Sequence, residues 1–165
     1  MHKYYQTLNI LKSGTCLLLD GATGTELERR GVPQLPNAWN GGGALTHPSV
    51  LKNIHKNYVK SGARIIISNT FATCKHTLKD ADQSHNFERL NSAGVRLAQE
   101  ACAEIGEKDI LVAGGVSYWS FTGIHPSLEE LRSNIAEQTN IIALSGADLI
   151  MLEMMVDIDR MLVTL

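Results

Sequence analysis

The sequence predicts an α/β fold, in which strand–helix units repeat around a parallel sheet. Four apolar runs, Cys16–Asp20, Arg64–Asn69, Ile110–Ala113 and Asp148–Glu153, are continuous rather than alternating, as strands covered on both faces are. Segments with helical spacing separate them. Each run also ends on polar or small residues, namely Asp20, Asn69-Thr70, Gly114-Gly115 and Glu153. Strand C-termini are where α/β folds place their sites. A series of this kind forms either an open doubly wound sheet or a closed barrel, and convergence from successive strand ends favours a barrel mouth.

The first run passes through Asp20 into Gly21 and Gly24, which flank a turn, and then into a helix through Glu26–Arg30. A Pro/Gly-rich loop follows and carries Trp39. After Thr46-His-Pro-Ser49, Leu51, Ile54 and Tyr58 recur on one helical face, and Ser61-Gly62 supplies the stop. From about Ser84 to Ile105, residues Leu90, Ala93, Leu97, Ala101 and Ile105 share a face that Gly106 closes. Ser127 as N-cap and Glu130 three positions on make a capping box ahead of Leu131, Ile135 and Ile142. The phrasing repeats: "HPSVLKNIHKNYVKSGARIII" and "HPSLEELRSNIAEQTNIIALSGADLIM" each run from HPS through a helix and SGA into a strand. Arg64 and Asp148, which start strands after SGA, read as solvated residues at the opposite end of the sheet.

With 165 residues, 44% apolar and 19% charged, the chain has the composition of one ordinary globular domain with a real core. A net charge of -2 from 15 basic and 17 acidic residues offers no basic face for nucleic acid or an anionic membrane. No window approaches a membrane span and the first twenty residues lack a signal-peptide pattern, so a cytoplasmic location is expected. The three cysteines, Cys16, Cys74 and Cys102, lack CxxC spacing and read as buried or idle thiols.

Two carboxylates draw the functional reading. Asp20 either caps the next helix or accepts from a substrate ammonium or backbone amide; GxxG without GxGxxG or a P-loop Lys does not support phosphate binding. Glu153, between Leu152 and Met154, must be paired, solvated at a mouth, or neutralised by a raised pKa. Trp39 lines a pocket or covers the mouth. His47 and His125 each precede a proline at a helix start, where capping or packing outranks metal ligation, and no HExxH-like spacing occurs.

Asp20 to Leu27 (DGATGTEL), the loop Trp39, "HPSVLKNIHKNYVKSGA" running into Ser68-Asn69-Thr70-Phe71, "VAGGVS" and "GADLIMLEMM", in this order, resemble the homocysteine S-methyltransferase family. The resemblance runs from about Thr15 to Arg160. It implies a (β/α)8 TIM barrel that moves a methyl group to the thiol of homocysteine, giving methionine. The donor varies among members: S-methylmethionine, S-adenosylmethionine, betaine or a methyl-folate carried through cobalamin. The resemblance further implies that Asp20, with Gly21, and Glu153 grip the amino group of homocysteine, with Trp39, Asn69, Thr70 and Phe71 shaping the pocket. It also implies a zinc ion that converts the thiol to a thiolate.

The sequence departs from the family in two respects. The zinc-binding cysteines of GxNC-like and GGCC-like motifs are absent, and Cys16, Cys74 and Cys102 do not match them by position. The chain stops at Leu165, within a helix expected from near Asp157, whereas a full barrel needs roughly 250 residues. Residues 1–165 are therefore expected to be the N-terminal portion of a single homocysteine-binding barrel domain, with about four βα units, inactive and without tight zinc when alone. Betaine-using members resemble one another in tyrosines where this chain has Ala72 and Met154, which disfavours betaine as donor. The alternative is a non-catalytic half-barrel that binds an amino acid or assembles with another chain, its exposed edges inviting self-association.

Overall fold

Strand β2 (Leu111–Val116) lies at the centre of the sheet, and all six of its residues are buried. The computed structural model that shows this describes residues 3–107 and 109–165. On one side β2 pairs in parallel with β1 (Ile65–Ile67), with Ile66 opposite Val112. On the other it pairs in parallel with β3 (Leu149–Leu152), with Gly115 opposite Met151. The sheet order is β1-β2-β3, so sequence neighbours are spatial neighbours and the described strands contain no reversal of order. Burial of β2 against intermediate exposure along β3 follows from position, since an edge strand has a partner on one side alone.

Of the expected four strands, the first is reduced to an edge segment. Leu19 makes a single parallel bridge to Ile65; Arg64 N–H donates to Leu18 (2.8 Å) and Asp20 N–H to Ile65 (3.0 Å). Leu18 and Leu19 are 59% and 49% exposed, so the expectation of a run buried on both faces is corrected. The reason is local: no described strand covers the outer side of this segment.

The helices follow the sequence signals where those were periodic. Helix α1 (Lys3–Lys12) precedes the sheet, α2 (Thr23–Arg29) follows Asp20, and the short α3 (Gly43–Thr46) leads into α4 (Pro48–Lys60). Proline at the first position of α4 loses no needed donor, and Leu51, Ile54, His55 and Val59 form its buried face. His47 occupies the N-cap without capping; its Nδ1 is 2.9 Å from the Thr46 hydroxyl. Helix α5 (Lys75–Asp80) is followed by α6 (Phe87–Ile105), which Gly106 closes at φ 81°. The expected cap of α7 (Leu128–Leu144) is present: Glu130 N–H donates to Ser127 Oγ at 3.2 Å. Helix α8 (Ile158–Thr164) begins after Asp157, whose carboxylate accepts from Arg160 N–H. No helix among the described residues is long and apolar enough to cross a membrane.

The largest core cluster joins Ile66 of β1, Val112 and Val116 of β2, Val95, Ala98 and Cys102 of α6, and Leu131, Ile135 and Ile142 of α7. Each fully buried Leu or Ile there contributes about 1.5–3 kcal/mol. Two adjacent glycines set the close packing of β2. A Cβ on Gly114 would lie 2.1 Å from Ile142 Cγ2, and one on Gly115 2.1 Å from Glu153 Oε1. Because side chains alternate along a strand, Gly114 admits α7 against one face and Gly115 leaves room for a carboxylate on the other.

The reading of Asp148 as solvated is also corrected. Its Oδ2 accepts from Lys3 Nζ and from Val112 N–H, both at 2.9 Å, and Lys3 also donates to Ile110 O. The N-terminal helix is thereby tied across the bottom of β2 and β3.

Candidate functional site

At the opposite, C-terminal ends of the strands lies an open cavity of about 550 Å³. Asp20 enters it from the edge segment, Ile67 and Ser68 from β1 and its exit, and Glu153 from the exit of β3. Asp20 is fixed by accepting the Ile67 N–H on Oδ2 at 2.9 Å. Its Oδ1 is buried and without a partner, and Glu153 Oε1 is in the same condition. Glu153 is held through its backbone: its N–H donates to Val116 O (2.9 Å) and its carbonyl accepts from Ser117 Oγ (2.9 Å).

Burial pushes the Asp20 carboxyl up to about 7, against the lowering effect of the Ile67 N–H, and the charge of Glu153 pushes it further. Burial alone raises Glu153 to about 7. Two acids whose ionisation burial disfavours, each with an unpartnered oxygen, form a site that a cation with several N–H donors would satisfy.

The loops around them are fixed from behind. Gly21 lies so close to Tyr58 that a Cβ there would be 2.8 Å from its hydroxyl, and Tyr58 OH donates to Ala22 O. Trp39 has φ 45°, and its ring covers Gly24, where a Cβ would meet it at 3.1 Å. Asn69 Nδ2 donates to Asn40 O and Asn40 Nδ2 to Gly24 O, each at 3.0 Å, which links three wall segments.

Of the residues singled out from sequence, Asp20, Gly21, Trp39, Asn69, Phe71 and Glu153 line this one cavity. Thr70 stands behind the wall, fully buried, with Oγ1 donating to Gly115 O at 2.7 Å. Sequence reasoning missed Asn40, Ser68, Trp119 and Phe121 in the lining. Phe121 meets Phe71 edge-on with ring centroids 6.3 Å apart. A signal for the aromatic pair was available: "YWSF" follows the third apolar run after only Gly114 to Ser117, in a chain that is 5% aromatic. Among the described residues no three of His, Cys, Asp or Glu stand together as a metal site. Cys16 is exposed, whereas Cys74 and Cys102 are buried.

A parallel α/β sheet with an acidic, aromatic-walled pocket at its strand ends defines an α/β protein with a candidate small-molecule site. The family described as homocysteine S-methyltransferase matches residues 17–165, and the chain belongs to that family. It is 26% identical over 166 residues to homocysteine S-methyltransferase 1 of Zea mays, covering 87% of this chain and 51% of that protein. It is 27% identical over 148 residues to betaine–homocysteine S-methyltransferase 1 of Danio rerio, covering 88% of this chain and 36% of that protein. The metallated form of the homocysteine methyltransferase MmuM from Escherichia coli superposes with a TM-score of 0.76 at 24% identity, over 89% of this chain and 56% of that one. Its oxidized form gives 0.68 at 26% identity, over 81% and 51%. The chain thus spans about half the length or less of these curated relatives.

Proposed function

We propose that this chain supplies the homocysteine-binding side of an S-methyltransferase barrel, and that Asp20 and Glu153 hold the substrate ammonium. The observation that carries this reading is the pair of buried, unpartnered carboxyl oxygens facing one cavity. The ammonium offers three donors, and charge-assisted bonds to both acids would replace the water that burial removed. Trp39, Phe71, Trp119 and Phe121 then enclose the carbon chain and exclude water. The unreversed strand order supports a barrel in which residues 1–165 are one portion of a single domain. Methyl transfer to homocysteine, with methionine as product, is the reaction that family membership supports.

Zinc does not fit the residues present. The three thiols are placed singly, one exposed and two buried, and no carboxylate or histidine group completes a ligand set among the described residues. Activation of the thiol is therefore not assigned to this chain. The methyl donor is a small molecule; Ala72 and Met154 at the cavity wall leave no tyrosine hydroxyl there for a betaine-type donor.

Calorimetric titration with homocysteine tests the grip. The parent chain is expected to bind, and Asp20→Ala and Glu153→Ala each to weaken binding about tenfold or more, the scale of a lost charge-assisted bond. Equal affinity in all three proteins would remove the assignment. A second reading, self-association through open edges, is favoured by the exposure of Leu18 and Leu19 at one edge and Val156, Ile158 and Leu162 beyond the other.

A further inference from the structure

The backbone of Trp119 is clamped from both sides by residues that do not reach the cavity. On one side its N–H donates to Ser117 Oγ (3.1 Å), which in turn donates to the carbonyl of Glu153 (2.9 Å). On the other side its carbonyl lies 2.9 Å from His76 Nε2 and 3.2 Å from Thr77 Oγ1. A carbonyl only accepts, so His76 carries its proton on Nε2 and the Thr77 hydroxyl spends its one hydrogen there. The Thr77 oxygen is then free to accept, and Cys74 Sγ stands 3.0 Å from it. Cys74, His76 and Thr77 are at most 8% exposed, and none of them lines the cavity. The same helix holds the loop a second time, through Thr122 Oγ1 donating to Asp80 Oδ2 at 2.8 Å.

We propose that His76 and Thr77 are positioning residues for the cavity: by holding the Trp119 carbonyl from α5 they fix Trp119 as a wall in set relation to Glu153. This rests on the reading of the cavity as the homocysteine site. A packing role alone would require only the bulk of the imidazole, whereas the clamp requires an N–H at the Nε2 position. Gln at 76 can present a side-chain N–H at about that reach, and Leu cannot.

The test uses both substitutions and two readouts. Homocysteine affinity is measured by calorimetry, and Trp119 emission and acrylamide quenching are measured with Trp39→Phe added, which leaves Trp119 as the sole tryptophan. His76→Leu is expected to weaken homocysteine about three- to tenfold, the range for one lost hydrogen bond, and to raise the quenching of Trp119. His76→Gln is expected to stay within about twofold of the parent in both readouts. The proposal is overturned if His76→Leu matches the parent in both, or if His76→Gln is as impaired as His76→Leu. Should His76→Leu fail to fold, Thr77→Val removes one donor at constant shape: raised quenching supports the clamp and unchanged quenching overturns it. If the parent chain binds no homocysteine, the functional reading falls while the quenching arm still decides the clamp.

Discussion

The raised pKa values of Asp20 and Glu153 bear on stability with a definite sign. An acid whose folded pKa stands above its unfolded value keeps its proton in the native chain after the unfolded chain has released it. Stability from these two groups therefore falls as pH rises from 3.8 and 4.5 towards about 7. His55 acts in the opposite sense. It is fully buried with both ring nitrogens unpartnered, and burial lowers it from 6.5 to about 4, so its contribution is lost as pH falls through that interval. Replacing both acids by Asp20→Asn and Glu153→Gln is expected to raise stability at pH 7.5 by at most about 4 kcal/mol at Asp20 and about 3 kcal/mol at Glu153. Relative to the parent, the variant's stability should rise with pH between 4.5 and 6.5, where His55 then dominates. Urea denaturation across that range checks both, and parallel pH curves for the two proteins would contradict the burial of the acids.

At the level of elements, two consecutive glycines turn one face of β2 to Ile142 of α7 and the other to Glu153. Gly114→Ala drives a methyl into Ile142 of α7 and is expected to cost about 1–3 kcal/mol by overpacking, with homocysteine affinity little changed. Gly115→Ala drives one into Glu153 Oε1 and towards Ile67 Cγ2, and is expected to weaken homocysteine about tenfold or more. Thermal melts and calorimetry on the pair separate the two effects. Legible in the sequence were the three strands as apolar runs, α4, α6 and the Ser127–Glu130 start of α7 by period or cap, and the short α2 and α8 by their places after Gly24 and near Asp157. Helix α5 was not legible because KHTLKD spans fewer than two turns, too few for a period to show. The first apolar run read as a core strand, yet Leu18 and Leu19 are exposed, because an apolar run does not state whether a neighbour covers it. Trp119 and Phe121 escaped notice because loop aromatics carry no periodicity, and their place in the wall depends on the clamp from α5.

For the whole molecule, the sheet is open on both sides among the described residues. The Leu17–Leu19 segment and β3 present unpaired backbone among the described residues, flanked by exposed Leu19, Val156 and Ile158. Apolar residues beside free strand edges favour association, so the 165-residue chain is expected to scatter light as a dimer or larger at micromolar concentration. Charged substitutions at Leu18 and Leu19 should shift it towards monomer. A monodisperse parent monomer would show that the edges are covered in another way. The cavity itself does not depend on that outcome, since both of its acids and all four of its aromatic residues belong to this chain.

The most direct measurement of the ammonium grip compares homocysteine with 4-mercaptobutanoate, the same molecule without its amino group, by calorimetry on the parent chain and on Glu153→Gln. Homocysteine is expected to bind about ten- to a hundredfold more tightly than the des-amino compound to the parent, and to lose most of that advantage in the variant. Equal binding of the two compounds to the parent, or an advantage that survives the substitution intact, would contradict the account.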